Sequence, residues 1–251
     1  NSVRTLGVSV SFTATAADTE DGNVAASLTW TSSIDGQIGT GASFSTPGLS
    51  AGTHTITATA QDSRSQTGSA QITVRINQAP AVSITAPANA SVRTLGSAVS
   101  FTATAVDPEN GNVAASLVWT SNVDGQIGTG ASFSISSLSA GAHTITATAT
   151  DADGLTGTTS ISLTINRPPT VTISAPASNS TKTQGVSVTF TGSSSDPESG
   201  NITSSLVWTS SIDGQIGLHG SFSTATLSAG VHTITATATD PSGATGSAQI
   251  T

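Results

Sequence analysis

Along this chain, apolar side chains recur at every second position in short runs. Val8, Val10, Phe12, Ala14 and Ala16 alternate with Ser and Thr; so do Leu28 and Trp30, then Ile56, Ala58 and Ala60, then Ala70, Ile72, Val74 and Ile76. A period of two sends successive side chains to opposite faces of a strand, so each run reads as a strand with one buried face. Dense Gly, Asn and Asp punctuation separates the runs, and no stretch keeps a helical period over three turns. Many short alternating strands predict an all-β sandwich with no substantial helix.

The pattern repeats. Trp30, Trp119 and Trp208 are spaced by 89 residues, as are His54, His143 and His232, and the Phe sets Phe12, Phe101, Phe190 and Phe44, Phe133, Phe222. HTITATA occurs in all three copies, and the register needs no gaps. The predicted organisation is three tandem immunoglobulin-like β-sandwich domains in an extended rod: residues 1–77, 78–166 and 167–251. The first copy lacks a counterpart of Ala81–Ala86, and the third a counterpart of Leu163–Asn166, which reads as a window on a longer array. Asn77-Gln78-Ala79-Pro80 and Asn166-Arg167-Pro168-Pro169 read as short, Pro-stiffened linkers.

Composition narrows the chemistry. Charged residues are 8% of the chain, Lys and Arg total six, and the net charge is −8. Without a basic stripe, neither phosphate neutralisation on nucleic acid nor an anionic membrane surface is an expected partner. No apolar run approaches the roughly 20 residues of a membrane span. Cys is absent, so neither disulfides nor thiolate metal sites are available. Packing around the Trp must then hold each sandwich together.

The acidic residues are the sharpest functional signal, because none of the 14 lies in an expected strand. Asp18, Glu20, Asp21, Asp107, Glu109, Asp196 and Glu198 lie in the loop before each Trp strand. Asp62, Asp151, Asp153 and Asp240 lie in the loop after each HTITATA strand. In an immunoglobulin-like sandwich both loops sit at the pole where the preceding domain enters. Gathered carboxylates repel unless a cation joins them, and hard oxygen donors without His or Cys select Ca2+. The expected ligands are Asp18, Glu20 and Asp62 in the first copy. In the second they are Asn77, Asp107, Glu109 and Asp151, and in the third Asn166, Asp196, Glu198 and Asp240. The bland reading is that Asp, Asn and Gly are ordinary turn residues. An EF-hand is excluded, since Val118 stands where counting from Asp107 requires a bidentate Glu. Asp35, Asp124 and Asp213 each precede Gly and read as two-residue hairpin turns.

Signals for catalysis are thin. No G-x-S-x-G, H-E-x-x-H or G-x-x-x-x-G-K-[ST] occurs. His54, His143 and His232 take roughly the place of the corner tyrosine of such folds and read as structural. The chain is read as not an enzyme.

VDPENGNVAASLVWTSNVDGQIG (106–128) followed by LSAGAHTITATATDADG (138–154) resembles bacterial immunoglobulin-like repeats of the polycystic-kidney-disease (PKD) type. The layout also resembles cadherins, in which junctional Ca2+ stiffens a string of sandwiches. The chain departs from the better-known PKD pattern in lacking W-D-F-G-D-G, Trp119 being followed by Thr120 and Ser121. The resemblance implies a bacterial secreted or cell-surface protein, with Asp107, Glu109, Asp151 and their counterparts as ligands. The expected function is a structural segment of a calcium-stiffened extracellular fibre, stalk or adhesin, whose partners are neighbouring repeats. Thr-rich edges with few Lys add lateral self-association into fibres. The alternative is an accessory glycan-binding module of a secreted polysaccharide-degrading enzyme. That would need an exposed aromatic platform, whereas the Trp and Phe fall at core positions and Tyr is absent.

Overall fold

The computed structural model describes residues 2–251, and within them the chain forms three β-sandwiches, each around its own apolar cluster. The middle sandwich carries the full strand set. One sheet orders Ser91–Thr94, Thr156–Asn166, Gly141–Thr150, Val118–Ser121 and Gly125–Thr129; the other joins Ala81–Ala86 and Ser132–Ile135 to Val99–Asp107, which also pairs with Gly111–Asn112. The first stretch therefore serves both sheets: Ala81–Ala86 runs antiparallel to Val99–Asp107, then Ser91–Thr94 runs parallel to Thr156–Asn166. Helix is confined to one three-residue 3-10 turn per repeat, at Ala25–Ser27, Ala114–Ser116 and Thr203–Ser205.

The core follows from the alternation. On Val99–Asp107, Val99, Phe101, Ala103 and Ala105 are buried while the residues between them are mostly solvated. Phe101 faces Phe133 across the strand pair, the two rings stacked with centroids 5.1 Å apart. Trp119 closes the trio from the opposite sheet, 5.5 Å from Phe101 and 5.6 Å from Phe133. Its indole N–H donates to the Gly130 carbonyl at 2.9 Å, so the ring is buried with its polar atom satisfied. Gly128 makes the trio possible: a Cβ there would stand 2.5 Å from the Phe133 ring. The other repeats rebuild the cluster around Trp30 and Trp208, with Gly39 and Gly217 in the same place.

The repeats differ where the strand set differs. In the first, the strand expected over residues 8–16 is confined to Val10–Thr13, and Val8 is 53% exposed. Ala14 and Ala16 pack against the core from outside any strand, held by single backbone bonds to Ala42 and Val24. The reason is visible in the second repeat, where Ala81–Ala86 pairs with residues 102–106 and extends the same strand. Ile72, expected in the core with Ala70, Val74 and Ile76, is instead 54% exposed. Its counterpart Ile161 packs against a core that Val82 and Ile84 help to build. The Asp-Gly turns also differ from expectation. Ser32 pairs with Gly36, leaving three residues in the loop, and Gly36 ends it at φ +70° as the left-handed residue of such a turn.

Trp119→Ala should remove the element both sheets pack against. It is expected to cost about 3–5 kcal/mol in the stability of the middle repeat, read as a lower denaturation midpoint for that repeat alone.

Candidate functional site at the repeat junctions

Each acidic loop is first of all self-supporting. Asp107 ends its strand and Oδ1 accepts the N–H groups of Glu109 at 3.0 Å and Asn110 at 2.6 Å, a local turn of the kind Asp favours. Asp18 does the same for Glu20 and Asp21, and Asp196 for Glu198 and Ser199. In the other loop, Asp151 Oδ1 accepts from Asp153 at 2.9 Å and Leu155 at 2.8 Å. Asp62 repeats this with Arg64 and Gln66, and Asp240 with Ser242 and Ala244. The two loops meet at one pole: Asp21 accepts the N–H of Ser63, and Asn110 that of Ala152.

The second oxygen of the later Asp reaches the preceding repeat. Asn77, the last residue of strand Thr67–Asn77, donates its amide N–H to Asp151 Oδ2 at 2.7 Å; Asn166 donates to Asp240 Oδ2 at 2.6 Å. All four residues are buried. Linker and loop are tied further at the first junction, where Gln78 N–H donates to Glu109 Oε2 at 3.2 Å and Arg75 pairs with Asp153 at 2.8 Å. In the first repeat the counterparts Asp18, Glu20 and Asp62 receive no linker bond among the described residues.

Two buried acceptors at the first junction have no donor: Asn77 Oδ1 and Asp107 Oδ2. Asp196 Oδ2 is likewise bare in the third repeat. Because only the amide nitrogen can face Asp151, the Asn77 oxygen is turned away from it. Burying a carboxylate oxygen or an amide carbonyl without a partner is costly, so these atoms mark a place suited to a donor or a cation. Their donor chemistry is all oxygen, which fits Ca2+. Among the described residues, however, no three His, Asp or Glu side chains gather closely enough to hold a metal by themselves. Any ion would have to draw on amide and backbone oxygens and water as well. The Asn–Asp bond across the junction has no signal in local periodicity; only the shared repeat register places Asn77 and Asp151 at equivalent points to Asn166 and Asp240.

Burial works against the charged form of Asp151, yet the Asn77 amide and the N–H groups of Leu155, Asp153 and Gly154 outweigh it and hold its carboxyl below the ordinary range. A native value below the unfolded one, about 3.9 for Asp, means that the bond contributes fully above that value. Its contribution is lost as pH falls through the native pKa.

The opposite pole is organised by histidine. His143 is buried; Nε2–H donates to the Ser139 carbonyl at 2.8 Å, which leaves Nδ1 to accept from the Ser121 hydroxyl at 2.8 Å. Ser121 Oγ in turn accepts the N–H groups of Val123 and Asp124. Asp124 closes the ring on the hydroxyl and N–H of Ser139, and the Ser139 hydroxyl above all holds its carboxyl low. The same Ser, His and Asp recur around His54 and His232. A nucleophilic triad places the serine on one imidazole nitrogen and the carboxylate on the other. Here Ser121 takes one nitrogen, a backbone carbonyl takes the second, and Asp124 is bonded to Ser139 and not to the ring, so the group is a corner staple.

No protein-family model matches the chain, and no curated protein matches it. Among solved structures, it is similar to the I-band fragment I67–I69 from titin, with TM-score 0.50 and 14% identity over 99% of this chain and 93% of that one. An E-to-A mutated variant of the same three domains gives TM-score 0.51 at 13% identity, again over 99% and 93%. At such identity the likeness establishes the architecture, three immunoglobulin-like domains in tandem.

Asn77→Ala should leave Asp151 Oδ2 buried without a donor, at a cost of about 1–3 kcal/mol. Hydrogen exchange at the Asp151–Leu155 loop should accelerate in the variant while the Asp240 loop stays protected. In the unmodified chain, the same loop should lose protection only when the pH is taken below about 4.

Proposed function

We propose that this chain is a segment of an extracellular rod, stalk or adhesin of PKD type, whose function is length and stiffness set at the repeat junctions. The observation that carries the reading is the duplicated junction bond. Asn77 to Asp151 and Asn166 to Asp240 span the same 74 residues of sequence, so both junctions are built by one rule. A string of sandwiches with a repeated, buried polar contact at each joint restrains each domain against the next, whereas a flexible array needs no such contact.

Calcium is the proposed stiffening partner. Asn77 Oδ1 and Asp107 Oδ2, with Glu109 beside them on the linker, would hold the ion at the first junction; Asn166, Asp196 and Glu198 would do so at the second. When bound, the cation would supply positive charge to Asn77 Oδ1 and Asp107 Oδ2 at the first junction and to Asp196 Oδ2 at the second, which otherwise lack a donor. Asp151 and Asp240 would position the Asn rather than bind metal, since their oxygens are already engaged. The first repeat, through Asp18, Glu20 and Asp62, would offer the same set to a preceding linker. Against the glycan-binding alternative stands the aromatic inventory: the rings of every Trp and Phe belong to the three core clusters, which leaves no exposed platform among the described residues.

Extracellular modules of this kind bind Ca2+ with Kd on the order of 10⁻⁴ to 10⁻³ M. At 10 mM Ca2+ each loaded junction should then gain about 1.4–2.7 kcal/mol. Small-angle scattering and thermal melting with Ca2+ and with EDTA test this: the ion should raise the melting temperature and sharpen the distribution of long distances. The double variant D107N/N77A should abolish both effects. Identical profiles in Ca2+ and EDTA would reject calcium and leave hydrogen bonding alone to restrain the junctions.

A further inference from the structure

The outer face of the five-stranded sheet serves neither the core, nor the junctions, nor the histidine corner. In the middle repeat it is paved with hydroxyls. Thr144, Thr146 and Thr148 of strand Gly141–Thr150 stand opposite Ser162, Ser160 and Thr158 of Thr156–Asn166, and Thr146 also stands beside Thr120. They alternate with the buried Ile145, Ala147 and Ala149, so they turn away from the core. Apart from the buried His143, the only ionisable side chain on the five strands is Arg93; it stands opposite the buried Ile165 and so lies off this face. Val92 and Val118 add exposed methyl groups. The first repeat repeats the row as Thr55, Thr57 and Thr59, with Arg75 at one end already paired to Asp153, and the third as Thr233, Thr235 and Thr237.

The opposite sheet also presents hydroxyls, but those are bonded to one another: Ser11 with Ser45 at 2.7 Å, Thr85 with Thr102 at 2.7 Å, Thr189 with Ser223 at 2.9 Å. Among the described residues, no such bond engages the hydroxyls of Thr144, Thr146, Thr148, Thr158, Ser160 or Ser162. Branching at Cβ already restricts threonine in a strand, so little rotamer freedom is left to lose on contact. A hydroxyl both donates and accepts. A face of free hydroxyls is therefore complementary to itself, which a two-fold contact between identical surfaces requires. The sheet is about 24 Å across and about 34 Å along its longest strands, on the order of the roughly 800 Å² per partner of a standard interface. The chain carries a net charge of −8, so copies repel, and this face is a place where they can meet without opposing charges of like sign.

We propose that this threonine face is where a second copy of the chain docks, sheet against sheet, so that arrays associate side by side. The two sheets lie about 10 Å apart. Thr methyl groups fill the space between them, hydroxyls bond across it, and Val92 and Val118 are covered. No backbone edge is paired, so neither sandwich has to open. Because the face recurs every 89 residues, one chain offers several such contacts, and the association gains by avidity.

The test is sedimentation equilibrium of the 251-residue chain in EDTA, so that calcium plays no part and failure here leaves the junction reading intact. The average mass should rise reversibly with concentration to twice the monomer value or more. It should rise further at 1 M salt than at 0.1 M, since the Debye length shrinks from about 10 Å to about 3 Å and repulsion between copies shrinks with it. The variant T57E/T146E/T235E places a carboxylate in the middle of each face. It should stay at the monomer mass with an unaltered thermal melt. S11E/S100E/T189E adds the same charge to the opposite sheets and should associate as the unmodified chain does. A monomer at every concentration overturns the proposal, and retention of that monomer on insoluble glycan through the same threonines would give the face to a sugar instead. Association that weakens with salt, that persists in T57E/T146E/T235E, or that is lost equally in both variants also overturns it.

Discussion

Everything in each repeat rests on the contact between one indole and two phenyl rings. With no disulfide available and aromatics at 4% of the chain, the trio around Trp119 is the only large, specific object that both sheets touch. Its geometry reaches outward. The indole N–H fixes the Gly130 carbonyl. The missing side chain at Gly128 lets Phe133 lie flat on Phe101. Two of the strands that carry these rings, Val99–Asp107 and Val118–Ser121, adjoin the loops where acidic residues sit. The small Ala, Ser and Thr residues elsewhere fill space around the trio but cannot position it, because they bury too little area to select one arrangement over another.

From that rigid centre, the polar groups at the two poles take on different tasks. At one pole, Ser121, His143, Asp124 and Ser139 bind one another and the backbone of the same corner, so their hydrogen bonds stay within the repeat. At the other, each Asp divides its oxygens. One holds its own loop, and the other, in Asp151 and Asp240, receives the preceding repeat. A junction made this way is coupled to the integrity of the loop beneath it. Loosening the Asp151 turn also withdraws the acceptor for Asn77.

The fold was almost wholly legible, because a period of two over Val99–Asp107 and a fixed spacing between Trp residues are direct imprints of strand and repeat. What escaped was whatever depended on a neighbour. Ile72 has the right parity for the core but lacks the strand that would cover it, and parity says nothing about coverage. Asp35-Gly36 has the composition of a two-residue turn. Which residue takes the left-handed position is decided by strand pairing, and Ser32 opposite Gly36 gives the longer loop. At the junction, the convergence of Asn77 with Asp151 was legible from the register. The division of labour between the two oxygens of Asp151 was not, since it follows from where the N–H groups of Asp153 and Leu155 point.

The gapless repeat carries a cost during folding. Strand HTITATA is the same in every copy, so Gly52–Gln61 would form a ladder of the same length with Thr156–Asn166 as with its own Thr67–Asn77. Contact energy hardly distinguishes the two pairings. What separates them is chain length: five residues close the native hairpin, and the wrong one encloses one whole repeat more, an entropic handicap of roughly 2–3 kcal/mol. That margin is modest, and neighbour-to-neighbour misassembly is the typical failure of such arrays. Fidelity in this chain is therefore a matter of timing. The short hairpin must close, and its Trp must be buried, before an identical strand from the next repeat becomes available.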